Sequence, residues 1–315
     1  MVAPNQASPE TAGAAASRLA FIALLAGAMA IGGSGILVRL SEIGPVATGF
    51  YRMALSLPVF LLWAQLGPRP SGKRPSGLAG VRASFGLILV SGILFSIDLA
   101  MFHMSITYTS VANATLLSNL TPIWVTLGAW LFLRERIQTL FLVGLIVALL
   151  GSALLMGHSF QLSADRLLGD ALATGASLFY GGYLLALTRL RARLSTPTVM
   201  AASGAVSAVL LLPAVALLGE GMIPATIAGW SVLAGVALIS QAGGQGLIAF
   251  ALAHLPASFS SVSLLVQPIS AAILAWLILG EALGPLEAAG GAVVLAGIWI
   301  AARASLANRS ASNGN

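Results

Sequence analysis

Ten apolar runs of about 20 residues, separated by short polar loops, constrain this 315-residue chain more than any other feature. A helix needs roughly 20 apolar residues to cross the hydrocarbon core of a membrane. The runs predict transmembrane helices at about 19–40, 46–66, 83–105, 109–133, 138–157, 167–188, 196–218, 226–252, 257–279 and 284–302. Only 8% of the residues are charged, against about 25% in a soluble domain. We therefore expect an all-α integral membrane protein.

Several classes of functional group are scarce or absent. The chain has no cysteine and only three histidines, which excludes disulfides and thiolate metal sites and argues against a cage of histidine ligands. No G-x-x-x-x-G-K-[ST] motif for binding ATP is present. We expect no metal and no cofactor. Any transport would draw its energy from a gradient of substrate or ions, or would be facilitated.

The basic residues fall mainly in alternate loops. Because cytoplasmic loops carry an excess of Lys and Arg, this alternation predicts that both termini lie in the cytoplasm, as expected for a bacterial-type inner membrane. The majority set holds twelve of the 15: Arg18, Arg69, Lys73, Arg74, Arg82, Arg134, Arg136, Arg189, Arg191, Arg193, Arg303 and Arg309. The other set holds Arg39, Arg166 and Arg52, which lies inside a span. The net charge of +6 then marks topology, and we expect no nucleic-acid partner.

The second half of the chain repeats the first at an offset of 146 residues. AWLFLRERI at 129–137 matches AWLILGEAL at 275–283, and Pro122 matches Pro268. Two glycine pairs keep the same register: Gly144 with Gly290, and Gly151 with Gly297. Each half holds five spans, and because five is odd the second half must sit inverted in the membrane. Inverted repeats are typical of secondary transporters, whose substrate site lies near the midplane.

These repeated patterns resemble the drug/metabolite transporter superfamily with its paired EamA domains. The resemblance rests on YTSVANATLLSNLTPIWVTLGAWLFLRERI (108–137), FYRMALSLPVFLLW (50–63) and the duplicated Pro–Trp–Glu pattern. Among members, the chain is most similar to YddG-type exporters of aromatic amino acids. The two repeats, interpreted as EamA domains, cover 19–157 and 167–302. The polar, alanine-rich segment 1–18 is expected to be a disordered cytoplasmic tail, and 303–315 is expected to be a second cytoplasmic tail.

Polar side chains inside spans are the candidate site residues, because a polar group at membrane depth is costly unless it faces a cavity or the bundle interior. Span 9 carries Ser260, Ser263, Gln267 and Ser270 on one predicted helical face, and the glycines of SQAGGQG (240–246) permit local unwinding of span 8. For a single serine, a hydrogen bond to its own helix is the commoner explanation. The predicted cavity residues, from a cavity built by spans 1, 3, 4, 6, 8 and 9, are Asp98, Asn119, Trp124, Tyr180, Gln241, Gln245, Ser263 and Gln267.

Two titratable residues and two prolines have further predicted roles. Asp98 is a candidate for proton or cation coupling, for binding a substrate ammonium, or for packing against span 1. His103 is a possible proton relay, although an interfacial position is the commoner explanation for it. Pro122 and Pro268 remove backbone hydrogen bonds and should kink their spans, which would permit alternating access; a static kink that only shapes the cavity is the alternative.

The repeated glutamates have a structural interpretation. Glu135 and Glu281 each follow a span and are expected to cap the entry to span 5 or span 10, because a carboxylate favours a helix N-terminus. Neither is then a catalytic acid. Trp130 and Trp276 are expected at opposite membrane interfaces.

Together these features predict a secondary transporter that exports amino acids or related small metabolites by alternating access through a central cavity. Its partners would be a small-molecule substrate and the lipid bilayer. Another solute, such as a drug cation, a nucleotide sugar or another metabolite, is the main alternative, and a passive channel is a second. An intramembrane enzyme would need an acid–base constellation that one buried carboxylate and one histidine do not form.

Overall fold

A computed structural model describes residues 9–67, 77–156, 164–279 and 284–313. Within these ranges the chain is helical and contains no strand, as expected where no water can satisfy an open sheet edge. Ten helical segments are long and apolar enough to cross a membrane. These spans 1 to 10 are Ala16–Arg39, Pro45–Leu66, Phe85–Tyr108, Asn113–Phe132, Thr139–Met156, Leu167–Arg191, Thr196–Leu217, Ile227–Ala251, Ala257–Leu274 and Pro285–Ser305. The predicted number and order of spans are confirmed.

Several spans consist of more than one helix. The helices are α1 (Pro9–Gly32), α2 (Ser34–Arg39), α3 (Pro45–Leu66), α4 (Gly77–Ala83), α5 (Phe85–Tyr108), α6 (Val111–Ser118), α7 (Thr121–Phe132), α8 (Thr139–Met156), α9 (Leu167–Arg191), α10 (Thr196–Leu217), α11 (Ile227–Gly235), α12 (Gly246–Ala251), α13 (Ala257–Ser263), α14 (Val266–Leu279) and α15 (Pro285–Asn313). A short 3₁₀ turn at Ala164–Arg166 precedes α9, and a π-helical stretch at Val236–Gln245 joins α11 to α12.

The helix at the N-terminus differs from the expected tail. Helix α1 begins at Pro9, so the prediction of disorder for 1–18 is wrong from residue 9 onward. The segment PETAGAAASR is rich in alanine, which has the highest helix propensity, and proline suits a first helical turn. These residues therefore extend helix α1 toward the N-terminus, beyond the apolar run of span 1. At the other end, α15 continues to Asn313.

The spans pack in symmetric pairs. Span 5 packs along span 10 and span 2 along span 7. Span 3 packs against span 6, and the equivalent pair, span 8 against span 1, is also in contact. Span 4 contacts span 6 as span 9 contacts span 1. Each half therefore places its first span against the third and fourth spans of the other half, so the core is shared between the repeats.

Repeated glycines explain the close contact between spans 5 and 10. A Cβ atom at Gly144 would lie 2.8 Å from the carbonyl oxygen of Gly297, and one at Gly151 would lie 3.0 Å from that of Gly290. Gly144 thus meets the repeat partner of Gly151, and Gly151 meets the repeat partner of Gly144. This crossed pairing is what two antiparallel copies related by inversion require, and only glycine lets the two backbones approach so closely.

Spans 4 and 9 are broken just before their prolines. Span 4 divides between Ser118 and Thr121, and span 9 divides between Ser263 and Val266. Pro122 then sits in the first turn of α7, and Pro268 is the third residue of α14. Proline lacks the N–H that would continue the preceding helix but fits the first turn of a new one. Each predicted kink is therefore a complete break between two half-helices.

Span 8 widens around its glycines. Residues Val236–Gln245, which include most of SQAGGQG, form π-helical turns instead of α-helical ones. Gly244 lies against span 1, where a Cβ atom at Gly27 would be 2.7 Å from the Gly244 carbonyl oxygen. Wide turns of this kind are rare and often occur at functional sites. They orient Gln241 and Gln245 inward, where both are buried.

Three glutamates cap helices of the opposite repeat. Glu220 accepts hydrogen bonds from the backbone N–H groups of Val46 (3.3 Å) and Ala47 (2.7 Å), and Glu42 accepts one from Thr226 N–H (3.0 Å). Glu135 accepts from the backbone of Ala257 and Ser258. A carboxylate is stabilising at a helix N-terminus, so the loops of each repeat hold the helices of the other.

The expected role of Glu135 is therefore wrong. Its oxygens lie 2.8 Å from Ala257 N and 2.5 Å from Ser258 Oγ, at the start of α13 in span 9, whereas the sequence predicted a cap on the following span 5. The cause is that loop 4–5 packs beside loop 8–9, which no local pattern shows. Glu281 lies outside the described residues.

Candidate functional site

A polar cavity lies where the two broken spans meet. It has a volume of about 50 Å³, far below the roughly 300–1,000 Å³ of typical ligand pockets, so in this conformation it has room only for a few molecules the size of water. Four spans line it: span 3 through Asp98, span 4 through Ser118, Asn119, Thr121 and Pro122, span 6 through Ser177 and Tyr180, and span 9 through Ser261, Leu264, Leu265 and Gln267. Both breaks thus open onto one central space.

Span 2 contributes a buried cation beside this cavity. Arg52 is only 4% exposed, and its Nε donates to the Oε1 atom of Gln241 at 3.0 Å. Its guanidinium carbon lies 5.9 Å from the ring centre of Phe95, within the range of a cation–π interaction. Asp98, one turn further along the same helix as Phe95, is buried and close enough to interact electrostatically with Arg52. The centre of the protein therefore holds one basic and one acidic side chain.

Aromatic rings and an amide surround the charged pair. Tyr180 donates from its hydroxyl to Gln245 Oε1 at 3.2 Å. The rings of Phe95 and Tyr183 stack with their centres 4.2 Å apart and their planes at 10°, and Tyr180 stacks on Tyr183 at 5.9 Å. Only Tyr180 lines the cavity itself, and Phe95 and Tyr183 pack behind it as buried residues. One side of the site is therefore an aromatic wall next to polar groups, an arrangement that suits a small amphipathic ligand.

Two amide nitrogens at the site have no hydrogen-bond partner. They are Nε2 of Gln245, whose side chain is fully buried, and Nε2 of Gln267, which lines the cavity. A buried donor without a partner costs about 1–3 kcal/mol, so a native protein retains one where water or a ligand can satisfy it. The Gln267 donor is therefore available to an oxygen atom bound in the cavity, and the Gln245 donor lies behind the lining residue Tyr180.

Asn119 lies at the break in span 4 and faces the cavity, but it also has a structural bond. Its Nδ2 donates to the Ser152 hydroxyl of span 5 at 2.9 Å. Thr121 likewise bonds to the carbonyl oxygen of Ser177 at 3.1 Å. The first-repeat side of the cavity is thus tied to neighbouring spans, and the unpaired donors lie on the second-repeat side.

The structure therefore groups most of the predicted site residues. Asp98, Asn119, Tyr180, Gln267 and the kink residue Pro122 line the cavity directly. Gln245 is hydrogen-bonded to the lining residue Tyr180, and Gln241 is hydrogen-bonded to Arg52 beside the cavity. Of the six spans expected to build the cavity, span 1 contributes no lining residue, and span 8 contributes through these hydrogen bonds only. Pro268 follows Gln267 and is buried at the break in span 9.

Three predicted residues lie elsewhere or have different surroundings: Ser263, Trp124 and His103. Ser263 is buried, and its hydroxyl bonds to the Phe259 carbonyl oxygen at 3.0 Å, while Ser261 takes the lining position. The predicted serine face assumed a continuous helix, and the break after Ser263 changes its orientation. Trp124 does not line the cavity, and its Nε1 donates to Ser177 Oγ at 2.9 Å.

His103 is buried inside the protein. It is 0% exposed, its Nδ1 lies 2.9 Å from the Pro45 carbonyl oxygen, and its Nε2 has no hydrogen-bond partner. It packs beside Gly49 of span 2, because spans 2 and 3 are in contact. It is absent from the cavity lining that contains Asp98, so the geometry does not join the two in one relay.

Arg52 is a buried charged residue beside the cavity that is absent from the predicted site residues. An arginine inside an apolar span is itself a signal, since such residues mark functional sites in membranes. A count of basic residues in alternate loops treats Arg52 like a loop arginine and hides that signal. Within the described residues, no group of three or more His, Cys, Asp and Glu side chains could hold a metal ion.

Known proteins match this chain over most of its length. The EamA-like transporter family matches residues 18–157 and again 167–303. The pseudopaline exporter CntI of Pseudomonas aeruginosa (strain UCBPP-PA14) is 26% identical over 247 residues, 78% of this chain and 82% of that protein. A probable terminal-alkyne amino-acid exporter of Streptantibioticus cattleyicolor is 29% identical over 206 residues, 64% of this chain and 67% of that protein.

Structural similarity agrees with the sequence matches. One solved crystal structure superposes on this chain with a TM-score of 0.74. It covers 94% of this chain and 98% of its own at 15% sequence identity, so it shows a shared ten-span fold and nothing more. The family match covers both halves of the chain and accounts for the paired five-span repeats. The chain therefore belongs to the EamA-like transporter family and is a transporter, not an enzyme.

Proposed function

We propose that this transporter exports amino acids or related small zwitterionic metabolites across a bacterial-type inner membrane, by alternating access through the central cavity. The observation that carries the proposal is that one basic and one acidic side chain, Arg52 and Asp98, are buried beside unpaired amide donors. Burying charges in a membrane is costly unless they are used. A ligand that bears both a carboxylate and an ammonium group is the simplest solute that uses both.

The proposed binding mode follows from the donors and acceptors present. The substrate carboxylate is bound by the Arg52 guanidinium and by the free amide N–H groups of Gln245 and Gln267, because charge-assisted bonds to arginine are the strongest available here. The ammonium group is bound by the Asp98 carboxylate. The ring of Tyr180, which lines the cavity and is backed by Tyr183 and Phe95, then contacts the apolar part of the substrate.

The names of the relatives support this substrate class. One is named as an exporter of pseudopaline, and another as a probable exporter of a terminal-alkyne amino acid. At 26% and 29% identity, the cavity residues can differ, so the side chain of the substrate is open to test. The aromatic wall favours amino acids with a large apolar or aromatic side chain.

The broken spans support alternating access. A cavity of about 50 Å³ cannot admit an amino acid, so transport requires the surrounding half-helices to move. The breaks at Pro122 and Pro268 divide equivalent spans of inverted repeats, and two such hinges can open the cavity to opposite sides in turn. The alternation of basic residues favours both termini in the cytoplasm.

The test is transport by the purified protein reconstituted in liposomes. Vesicles loaded with unlabelled amino acid should take up labelled amino acid by exchange, and the uptake should saturate with concentration. Asp98→Asn and Gln245→Ala should lower the initial rate about tenfold or more, as expected for loss of a charged or buried polar contact. Gln65→Ala changes an exposed glutamine at the end of span 2 and should leave the rate unchanged.

Other outcomes would contradict the proposal. Uptake of a drug cation or a nucleotide sugar, with no exchange of any amino acid, would identify a different solute. Flux that rises linearly without saturation or exchange would indicate a passive channel. Wild-type rates in both Asp98→Asn and Gln245→Ala, with normal membrane insertion, would show that the cavity is not the substrate site.

A further inference from the structure

A second and larger depression lies on the outside of the bundle, between α7 and α8. It has a volume of about 890 Å³, within the range of pockets that hold small molecules. Its walls are apolar side chains of spans 4 and 5, and the end of the groove is marked by charged residues of loop 4–5. The main wall residues are Ile123, Leu127, Trp130, Leu131, Leu142 and Leu145. We call this depression the lateral groove.

The lateral groove opens toward the hydrocarbon of the bilayer. Leu127, Trp130 and Leu131 are each more than half exposed, at 53%, 59% and 59%. The same helix α7 places Thr121 and Pro122 against the central cavity. One face of this half-helix therefore borders the predicted path of the substrate, and the other borders the lipid.

The end of the groove holds an arginine in an unusual backbone conformation. Arg134 has φ of 57°, and it is the one non-glycine residue with positive φ in the described part of the chain. It follows the end of α7, where the N–H groups of Leu133 and Glu135 both bond to the Ala129 carbonyl oxygen at 3.0 Å. Helices that end in this way favour glycine at that position, because a side chain there is strained.

The repeat shows that glycine was available at this position. In the 146-residue register Arg134 corresponds to Gly280, which lies outside the described residues. The first repeat thus carries a strained arginine where its copy carries the residue that the conformation favours. Placing a positive charge in this loop does not explain the strain, because unstrained positions such as that of Arg136 supply charge there already. Backbone strain retained in this way points to a function of the side chain.

We propose that the lateral groove binds an anionic phospholipid of the bilayer, with its phosphate group at Arg134 and an acyl chain along α7 and α8. Three observations agree with this occupant. The walls are apolar, the groove faces lipid, and the exposed Arg134 side chain at its end has no hydrogen bond or ion pair to another described residue. A soluble anion would use the charge but not the apolar walls.

The proposal is tested by native mass spectrometry of the full-length protein with phosphatidylglycerol and phosphatidylcholine of matched acyl chains. The wild-type protein should retain phosphatidylglycerol in preference to phosphatidylcholine. Arg134→Gly should reduce that preference about fivefold, the contribution of one basic residue near an anionic surface, and its melting temperature should stay the same or rise because glycine relieves the strain. Arg134→Lys should keep most of the preference.

Two further variants separate a site from general surface charge. Arg193→Gln removes an exposed arginine of loop 6–7 that does not line the groove, and it should leave lipid retention unchanged. Leu127→Trp fills the groove and should reduce retention of both lipids. If the wild-type protein shows no preference, or if Arg193→Gln weakens it as much as Arg134→Gly, the proposal is wrong and Arg134 acts only as a topology signal.

Discussion

Spans 4 and 9 are broken at equivalent places, yet the residues beside the breaks differ. Asn119 in span 4 corresponds to Leu265 in span 9, and Thr121 corresponds to Gln267. Asn119 and Thr121 are bonded to Ser152 and to Ser177, whereas Gln267 leaves its Nε2 unpaired at the cavity. The backbone break of the two spans is thus duplicated, and the polar side chains beside the cavity are not.

The same contrast holds across the whole molecule. The glycines that bring spans 5 and 10 together occur in both repeats and meet in crossed pairs. The buried charges Arg52 and Asp98 come from the first repeat alone, while Gln241, Gln245 and Gln267 come from the second. Symmetry suits a scaffold that must work in two opposite orientations. A single asymmetric substrate requires an asymmetric lining.

The largest expected effect concerns Arg52 and Asp98, the two buried side chains that the first repeat contributes near the cavity. Arg52→Met leaves the Asp98 carboxyl group buried without its cationic neighbour, and removing one partner of a buried charge pair costs about 3–5 kcal/mol. Thermal melting in detergent should show this loss. The double variant Arg52→Met/Asp98→Asn should recover much of it, because no unpaired charge remains. Equal stability of the single variant and the wild type would contradict the proposed pairing.

The second prediction tests the symmetric scaffold. Gly151→Ala and Gly297→Ala each place a Cβ atom within 2.5 Å of a backbone nitrogen, that of Val294 or Ala148, and should each destabilise the protein by about 1–3 kcal/mol. Gly86→Ala is the control, because a Cβ atom there meets nothing within 4 Å, and it should stabilise the protein by up to about 1 kcal/mol. A large cost at only one of the paired positions would break the symmetry of this interface.

The third prediction tests whether the two breaks act as hinges. Alanine restores the N–H group that each proline lacks, so Pro122→Ala and Pro268→Ala should favour a continuous helix and slow the opening of the cavity. We expect initial transport rates in liposomes to fall about three- to tenfold, which corresponds to roughly 1 kcal/mol in the barrier. Unchanged rates in both variants would show that the breaks only shape the cavity.

The smallest expected effect concerns the caps that cross between repeats. Hydrogen bonds from the Thr226 side chain and backbone lower the pKa of Glu42 below its ordinary value of 4.5. A carboxylate with a lowered pKa stabilises the fold above its ordinary value, and the contribution disappears as the pH falls through the folded value. Glu42→Gln should therefore melt slightly lower at neutral pH and lose less stability than the wild type below about pH 4.5. An identical pH dependence would contradict a role for this cap.

Particular residues show how far sequence reasoning reached into the site. Gln241, Gln245 and Gln267 were identified because large amides at membrane depth need several partners, and the structure places all three at or beside the cavity. Ser263 was assigned to the lining because the prediction assumed an unbroken helix, and the break after it passes the lining position to Ser261. Arg52 was missed because a count of basic residues treats an arginine inside a span like one in a loop.

The sequence by itself determined the ten spans, their division into two inverted halves and the family, because lipid imposes a strict length and polarity on every span and the repeat preserves its register over 146 residues. Only the tertiary structure decided which residues meet: that Arg52 reaches Gln241 across 189 positions of sequence, that Glu135 caps span 9 instead of span 5, and that His103 is buried against span 2. These contacts join one repeat to the other or one span to its neighbour. They depend on how whole helices pack, which no local pattern of polarity can encode.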